Sequence, residues 1–395
     1  MKVLKFGGTS LSCAEKIKDA KNIIFNDSER RYVVVSAPGK RYAHDIKVTD
    51  MLLTLYQERR AEKDWSKIFS SICRRFITIA DTLGISTDIT HCLHDIKDTI
   101  TAECSYDYII SRGEYLNAII ISDYIGYDFI DTDRCILFGC DGKVKINDSI
   151  CAIKEQVFGH KKAVFPGFYG SDDNGKIHVF DRGGSDITGA IISAALDADI
   201  YENFTDVNGC LCATPSLISN PKRIAHMTYA EMRELSHMGA GVLHEDTVFP
   251  LIYKDIPINI RNSGEPENPG TVISNHAPNY RFKMSSKNKY IVRKTVMSSK
   301  VDNINQKDKT ACADIEFTPS IQYKILKTKE KSDLCIMVVI SEDGFGGLKR
   351  ALSALINNGV SVYFVDFGAE NHTFYIGVPS YSEITANKII YNLFA

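Results

Sequence analysis

The chain has 395 residues, with 47 Lys plus Arg against 49 Asp plus Glu, 44% apolar and 24% charged residues, a composition that excludes long disorder, collagen and coiled coil. The formal charge of −2 also excludes a dominant nucleic-acid surface, which needs a net basic stripe to displace phosphate counterions. At roughly 150 residues per domain, the length predicts two to three domains.

The first 35 residues predict strand, loop, helix and strand. Val3–Phe6 is a short apolar run, Gly7-Gly8 and Thr9-Ser10 follow, Ile17, Ala20, Ile23 and Ile24 have helical spacing, and Tyr32–Ala37 is mostly valine. A polar loop from Pro38 to Val48 leads to a helix opening at Thr49. Trp65 to Tyr124 reads as mainly helical with a break at Gly84–Asp88, and strands are expected at Phe129–Asp131, Ala163–Pro166 and Ile177–Phe180. Helix Asp186–Ala195 and strand Ile200–Phe204 resume the alternation, which implies a mostly parallel sheet with helices on both faces. Amphipathic stretches at Tyr229–Leu235 and Val242–Tyr253, the strand Ile256–Ile260 and the turn-like Asn262–Gly270 close a first domain of residues 1–275.

Residues 276–331 are polar and weakly patterned, with short strands only at Tyr290–Val296 and Ala313–Phe317, and read as a connector. From 332 to 395 the order strand, helix, strand, strand, helix is most of a ferredoxin-like split βαβ unit. Its last strand is missing, and a bare sheet edge seeks a partner. The expectation is that Tyr290–Val296 or a second chain supplies it.

The 11 cysteines are scattered without a CxxC, which fits reduced thiols better than a disulfide framework. Cys210-x-Cys212 and His91-x-x-His94 lack a second half at zinc spacing and read as a loop edge and a helix face. No 18-residue apolar run and no signal-peptide core occur, so the expected protein is soluble, cytoplasmic and not membrane-bound.

Two segments suit phosphate chemistry. Lys5-Phe6-Gly7-Gly8-Thr9-Ser10 places a cation at a strand end and glycines at a helix start, where backbone N–H groups meet anions. Arg182-Gly183-Gly184-Ser185-Asp186 repeats that placement. Two such loops at sheet crevices suit a phosphoryl donor and an acceptor.

These segments, with Ser111-Arg112-Gly113-Glu114, Pro166-Gly167-Phe168-Tyr169-Gly170, Thr205-Asp206-Val207-Asn208-Gly209 and Gly239-Ala240-Gly241-Val242-Leu243-His244, occur in the order seen in aspartate kinases. The chain resembles that family over residues 1–275, and 332–395 resembles an ACT domain, the small-molecule sensing module such kinases carry. The resemblance implies an α/β amino-acid kinase fold plus a ferredoxin-like ACT region, with 276–331 a connector in the place of a reduced first ACT domain. It implies transfer of the ATP γ-phosphoryl group to the side-chain carboxylate of L-aspartate, with Mg²⁺ held mainly by nucleotide phosphates and water. Lys5 and Asp186 are the implied catalytic residues. Lys5, Gly7, Gly8, Thr9, Ser10, Thr205, Asp206 and Gly209 are implied to hold ATP, and Ser36, Thr49, Glu114, Phe168, Arg182 and Ser185 to hold the amino acid. No metal-ligating residue is assigned. A homodimer through the ACT region is expected, and the reduced first unit implies insensitivity to lysine and threonine.

The sequence departs from the family where many members have a tyrosine at Leu211, Asp-Pro-Arg at Thr214-Pro215-Ser216, and a lysine at Gly241. The absent arginine and lysine face phosphates in such members. Lys40, Arg41 and Lys47, in the loop before Thr49, are the candidate substitutes. Two other readings stay open: a non-catalytic amino-acid sensor with this fold, and a kinase for another amino-acid carboxylate.

Overall fold

A computed structural model describes the protein except at residues 182, 238–242, 244–248, 277–282, 288–289, 298–319, 328–332 and 369–371. The chain forms two units, one of Met1–Cys212, Lys222–His237 and Gly241–Tyr280, the other of Ala213–Pro221, Met238–Ala240 and Arg281–Ala395.

The first unit begins with β1 (Lys2–Phe6), α1 (Ala14–Phe25), β2 (Arg30–Val35), α2 (Val48–Arg60), α3 (Ser66–Leu83), α4 (Ile89–Ala102) and α5 (Tyr106–Ile125). It continues through β3 (Asp128–Phe129), α6 (Ile146–Val157), β4 (Ala163–Pro166), β5 (Tyr169–Ser171), β6 (Ile177–Val179), α7 (Gly184–Ala195) and β7 (Ile200–Thr205). The last elements are β8 (His226–Thr228), α8 (Tyr229–His237), α9 (Phe249–Lys254), β9 (Ile258–Asn262) and β10 (Thr271–Ser274). The expected helical stretch before Tyr124 is thus three helices. Ser105 caps α5 by accepting from the Tyr108 N–H, and Gly84 and Gly126 end α3 and α5 in the left-handed conformation that glycine adopts without strain.

Eight strands form one sheet in the order β3-β4-β2-β1-β7-β9-β10-β8. Neighbours run parallel except β9 with β10. Val33, Val34 and Val35 of β2 are fully buried, as a parallel strand covered on both faces requires. The chain leaves β1 to β2 on one side and to β7 on the other. That reversal opens a crevice at the carboxyl end of β1.

Three expectations are corrected. Pairing of β3 stops at Phe129, because Asp131 turns out of the sheet and accepts from the Asp133 N–H. Ile177–Val179 pairs antiparallel with Tyr169–Ser171 in a separate hairpin and adds nothing to the central sheet. The strand read at Ile256–Ile260 runs Ile258–Asn262, and Thr271–Ser274 returns beside it after the turn.

The second unit contains β11 (Lys283–Lys287), β12 (Tyr290–Met297), β13 (Ser320–Lys327), β14 (Leu334–Ile340), α10 (Gly344–Asn357), β15 (Phe364–Phe367), β16 (Thr373–Pro379) and α11 (Glu383–Phe394). Its four-stranded sheet has the order β11-β14-β16-β15, antiparallel throughout. The crossover from β14 through α10 to β15 spans β16, so the expected split βαβ unit is present. The edge beside β14 is filled by Lys283–Lys287, not by Tyr290–Val296, which pairs instead with β13. Met284, the one apolar side chain of β11, anchors that edge by entering the core of Met337, Val339, Leu348, Phe374, Ile376 and Ile390, whereas β12 is taken up by its ladder with β13. Part of the segment read as a connector therefore belongs to the sheet. The strand expected at Ala313–Phe317 lies outside the described residues.

Candidate active site

The site is built from the loops that follow β1, β2, β4 and β7, all at the carboxyl edge of the sheet. Backbone bonds tie these loops together. The Ser36 N–H donates to Phe6 O at 3.2 Å, the Gly167 N–H to Val35 O at 2.9 Å, the Gly7 N–H to Phe204 O at 3.0 Å and the Gly39 N–H to Gly8 O at 2.8 Å. At Gly8 a Cβ would lie 2.7 Å from Ala37 O, so only glycine lets the two loops approach this closely.

Lys5 is 9% exposed, and its ammonium lies 2.7 Å from Asp186 Oδ1 in the first turn of α7. The two glycine segments singled out in the sequence are therefore joined at their charged residues. Asn203 Nδ2 donates to the same Asp186 oxygen at 2.8 Å, and the Tyr201 hydroxyl donates to Asp186 O at 3.3 Å. Ser185 precedes Asp186 and packs against Gly167, where a Cβ would meet the Ser185 Cβ and Oγ at 2.7 Å each. Phe168 has a φ of 81°, unusual for a non-glycine residue, and its N–H donates to Thr188 Oγ1 of α7 at 3.1 Å. Its ring lies over Gly184.

Glu114 of α5 is buried, and its carboxyl accepts from the Ala37 N–H. Burial pushes its pKa up to about 8, against the lowering effect of that hydrogen bond. Its Oε2 has no hydrogen-bond partner among the described residues. A buried acceptor left open is costly, and a ligand donor would relieve it. Gly113 makes the placement possible, since a Cβ there would meet Ala37 Cβ at 2.7 Å and Leu52 and Val48 just beyond. Asn117 Nδ2 donates to Ser36 O at 2.7 Å. Thr49, partly exposed, stands at the start of α2 just after Val48, whose N–H donates to Pro38 O. Ser36, Thr49 and Glu114 thus surround one loop.

That loop is fixed from below. Arg75, 6% exposed, reaches Asp45 at 2.8 Å, Ser12 O at 2.9 Å and Gly39 O at 2.6 Å. Arg41 grips the same Asp45 through Nε and a terminal nitrogen, each at 2.8 Å. The Arg41 hydrogen bond is the chief cause that holds the Asp45 carboxyl far below the usual carboxylate range, overcoming its burial. Of the three cations considered as substitutes, Arg41 is therefore engaged, whereas Lys40 and Lys47 are exposed. Ser216 belongs to the second unit, and Gly241 lies outside the described residues.

At the end of β7, Ser263 Oγ bonds Ser10 Oγ at 2.6 Å, and the Ser263 N–H donates to Thr205 O at 2.9 Å. Thr205 Oγ1 donates to the exposed Asp206 carboxylate at 3.2 Å. Gly209 serves the fold, since its N–H donates to Val207 O and its φ of 84° with Thr271 against it admits no side chain. The Gly7 amide is likewise occupied by Phe204 O. Thr9 is exposed and Ser10 buried in the short turn Gly8–Leu11. Arg182 lies outside the described residues.

Sequence reading missed Asn203, Ser263 and Asn117. The available signal was polarity out of place: Asn203 interrupts the strand Ile200–Thr205, yet is 3% exposed. Its partner needed the register of β1 with β7, which pairs Lys5 with Asn203.

A Lys–Asp pair joining a strand end to a helix start, beside glycines at the carboxyl edge of a mostly parallel sheet, defines a phosphoryl-transfer class of site. The model of the amino acid kinase family matches residues 1–262, and the chain belongs to that family. It is 34% identical over 290 residues to Aspartokinase 3 of Bacillus subtilis, an alignment covering 69% of this chain and 63% of that protein. It is similar along its whole length to the crystal structure of Clostridium acetobutylicum aspartate kinase, with 33% identity, 100% of both chains covered and a TM-score of 0.86. Aspartokinase III of Escherichia coli in complex with aspartate and ADP shares the fold, at 21% identity and a TM-score of 0.73 over 100% of this chain and 99% of that one.

Proposed function

We propose that the chain is an aspartate kinase that moves the ATP γ-phosphoryl group onto the side-chain carboxylate of L-aspartate, giving 4-phospho-L-aspartate, the first step toward lysine, threonine and methionine. The observation that carries this reading is the Lys5–Asp186 pair at 2.7 Å on the sheet edge that also holds the open Glu114 oxygen. The names and ligands of the similar proteins, aspartate and ADP among them, support it.

An aspartate side chain with a pKa of about 3.9 is already an anion at neutral pH, so the reaction needs no strong base. The difficulty is to bring that anion to a polyanion in line and to stabilise charge on the transferred group. Lys5 supplies the cation for the phosphates, and the first amides of Gly8–Leu11 supply donors, since the N–H groups opening a helical turn have no partner within it. Asp186 holds Lys5 until the nucleotide arrives and orients the reacting groups. Glu114 receives the substrate ammonium, Arg182 its α-carboxylate through a planar fork, and Ser36, Thr49 and Ser185 give hydroxyl donors. Phe168 walls the pocket, while Thr205 and Asp206 face the nucleoside. Mg²⁺ entering with the nucleotide would neutralise phosphate charge, and as a hard cation it suits phosphate oxygens, water and a carboxylate such as Asp186. Among the described residues no three His, Cys, Asp or Glu side chains converge into a metal cage.

The second unit is read as an ACT domain through which the chain forms a homodimer. Supporting this, β15 is the outer strand of its sheet and exposes Val365 and Phe367, with the Phe345 ring stacked on Phe367 at 6.2 Å. The location is read as cytoplasmic, from the free thiols of Cys13, Cys73, Cys92, Cys104, Cys135, Cys140, Cys151 and Cys210. No described helix is long and apolar enough to cross a membrane. ADP release with Mg-ATP and L-aspartate tests the activity, and its absence above background would overturn it.

A further inference from the structure

Tyr201, Asn203 and Thr205 share one face of β7, because strand side chains alternate with a period of two. On this face the first two bind Asp186: Tyr201 through the backbone carbonyl at 3.3 Å, Asn203 through Oδ1 at 2.8 Å. The opposite face carries Glu202, bound to Arg30 and Arg261. Asn203 is in register with Lys5 on β1, so both donors reach the carboxylate from adjacent strands and converge on one oxygen. An ionised carboxylate only accepts, which fixes the amide of Asn203 with its nitrogen toward Asp186. No described residue bonds Asp186 Oδ2, and the side chain is 19% exposed.

We infer that Asn203 is a positioning residue for phosphoryl transfer: it anchors the Asp186 carboxylate independently of Lys5, so that Lys5 can turn toward the phosphates without releasing Asp186. This rests on the kinase reading of the site. If Lys5 were the only donor, its movement would strip a half-buried carboxylate of its partner, at a cost comparable to that of any unmade charged hydrogen bond. With Asn203 in place, the carboxylate keeps one fixed donor through the reaction. The geometry of the reacting groups is then set by the sheet and not by Lys5 alone.

The test compares wild type with Asn203→Leu, which keeps the branched shape and removes the donor, and with Asn203→Ala, which serves if the leucine variant does not fold. Steady-state ADP release should show kcat lowered about tenfold with the aspartate KM within about twofold, the size expected for one charged hydrogen bond made in the transition state. In an Asp186→Asn background the same substitutions should cost nothing further. A second readout needs no activity: mass spectrometry of amine labelling should show Lys5 modified several-fold faster in the variants, because its ion-pair partner is no longer held. Unchanged kcat, a KM effect alone, additivity with Asp186→Asn, or wild-type labelling of Lys5 would each overturn the inference. Loss of all aspartate-dependent ADP release in the wild type would instead overturn the kinase reading, and the labelling comparison would still decide the role of Asn203.

Discussion

Lys5 Nζ and Asp186 Oδ1 meet at 2.7 Å, the cation from the first strand and the acid from the first turn of α7. On the proposed mechanism the two are not equivalent. Lys5→Ala removes the phosphate cation and should lower kcat/KM by about 10³, whereas Asp186→Ala leaves Lys5 present but loose and should cost about 10². Lys5→Arg should not rescue, because a planar fork replaces a point charge in a buried space. Steady-state kinetics on the three variants checks this.

Glu114 makes a prediction about protons. Burial raises its pKa from 4.5 to about 8, so in the empty protein the carboxyl is largely protonated at pH 7. Binding a substrate ammonium favours the ionised form and should release up to about one proton per aspartate bound near pH 7. Calorimetry in buffers of different ionisation enthalpy reads that number directly. Glu114→Gln should abolish the release and weaken aspartate binding.

Glu114 and Glu202 should act on stability with opposite signs. A raised carboxyl pKa means that the folded state holds the proton more tightly, so this contribution is complete below pH 4.5 and is lost by about pH 8; Glu114→Gln should therefore raise thermal stability at pH 8.5 and change it little at pH 4.5. Glu202 is 2% exposed, and although burial pushes it up, the hydrogen bonds and charges of Arg30 and Arg261 hold it below its ordinary value. Its contribution is present above about pH 4.5 and lost as pH falls further. Glu202→Gln leaves the buried Arg30 and the partly buried Arg261 facing a neutral amide and should destabilise by about 3–5 kcal/mol at pH 7. Thermal melts at the three pH values distinguish the two groups.

The homodimer reading predicts that a charge on the outer strand of the second unit separates the subunits. Phe367→Lys should sediment as a monomer where the wild type sediments as a dimer, with the central sheet of the first unit unaffected. A dimeric variant would move the interface away from β15.

Much of the fold was legible because its signals are local. The valine run of β2, the glycines ending α3 and α5 and the strand-loop-helix at Lys5 need nothing beyond neighbouring residues. What was not legible depends on register. Lys283–Lys287 has too little apolar character to announce a strand, and only the ladder with β14 and the burial of Met284 make it one. Asn203 is similar: its sequence context says strand, and only its place beside Lys5 shows which acid it serves. Asp45 looked like part of a solvated loop, yet two arginines, Arg41 and Arg75, converge on it. The site residues were found through motif resemblance, whereas their supports came from distances that no motif carries.

Aspartate phosphorylation is tested most directly by ADP release from Mg-ATP with a panel of acceptors: L-aspartate, L-glutamate, an N-acylated aspartate and no amino acid. Release is expected with L-aspartate and lost in Lys5→Ala, and the N-acylated form should be rejected, because a blocked ammonium leaves Glu114 unpaired. Equal release with the N-acylated acceptor, or no release above the amino-acid-free control with any acceptor, would contradict it.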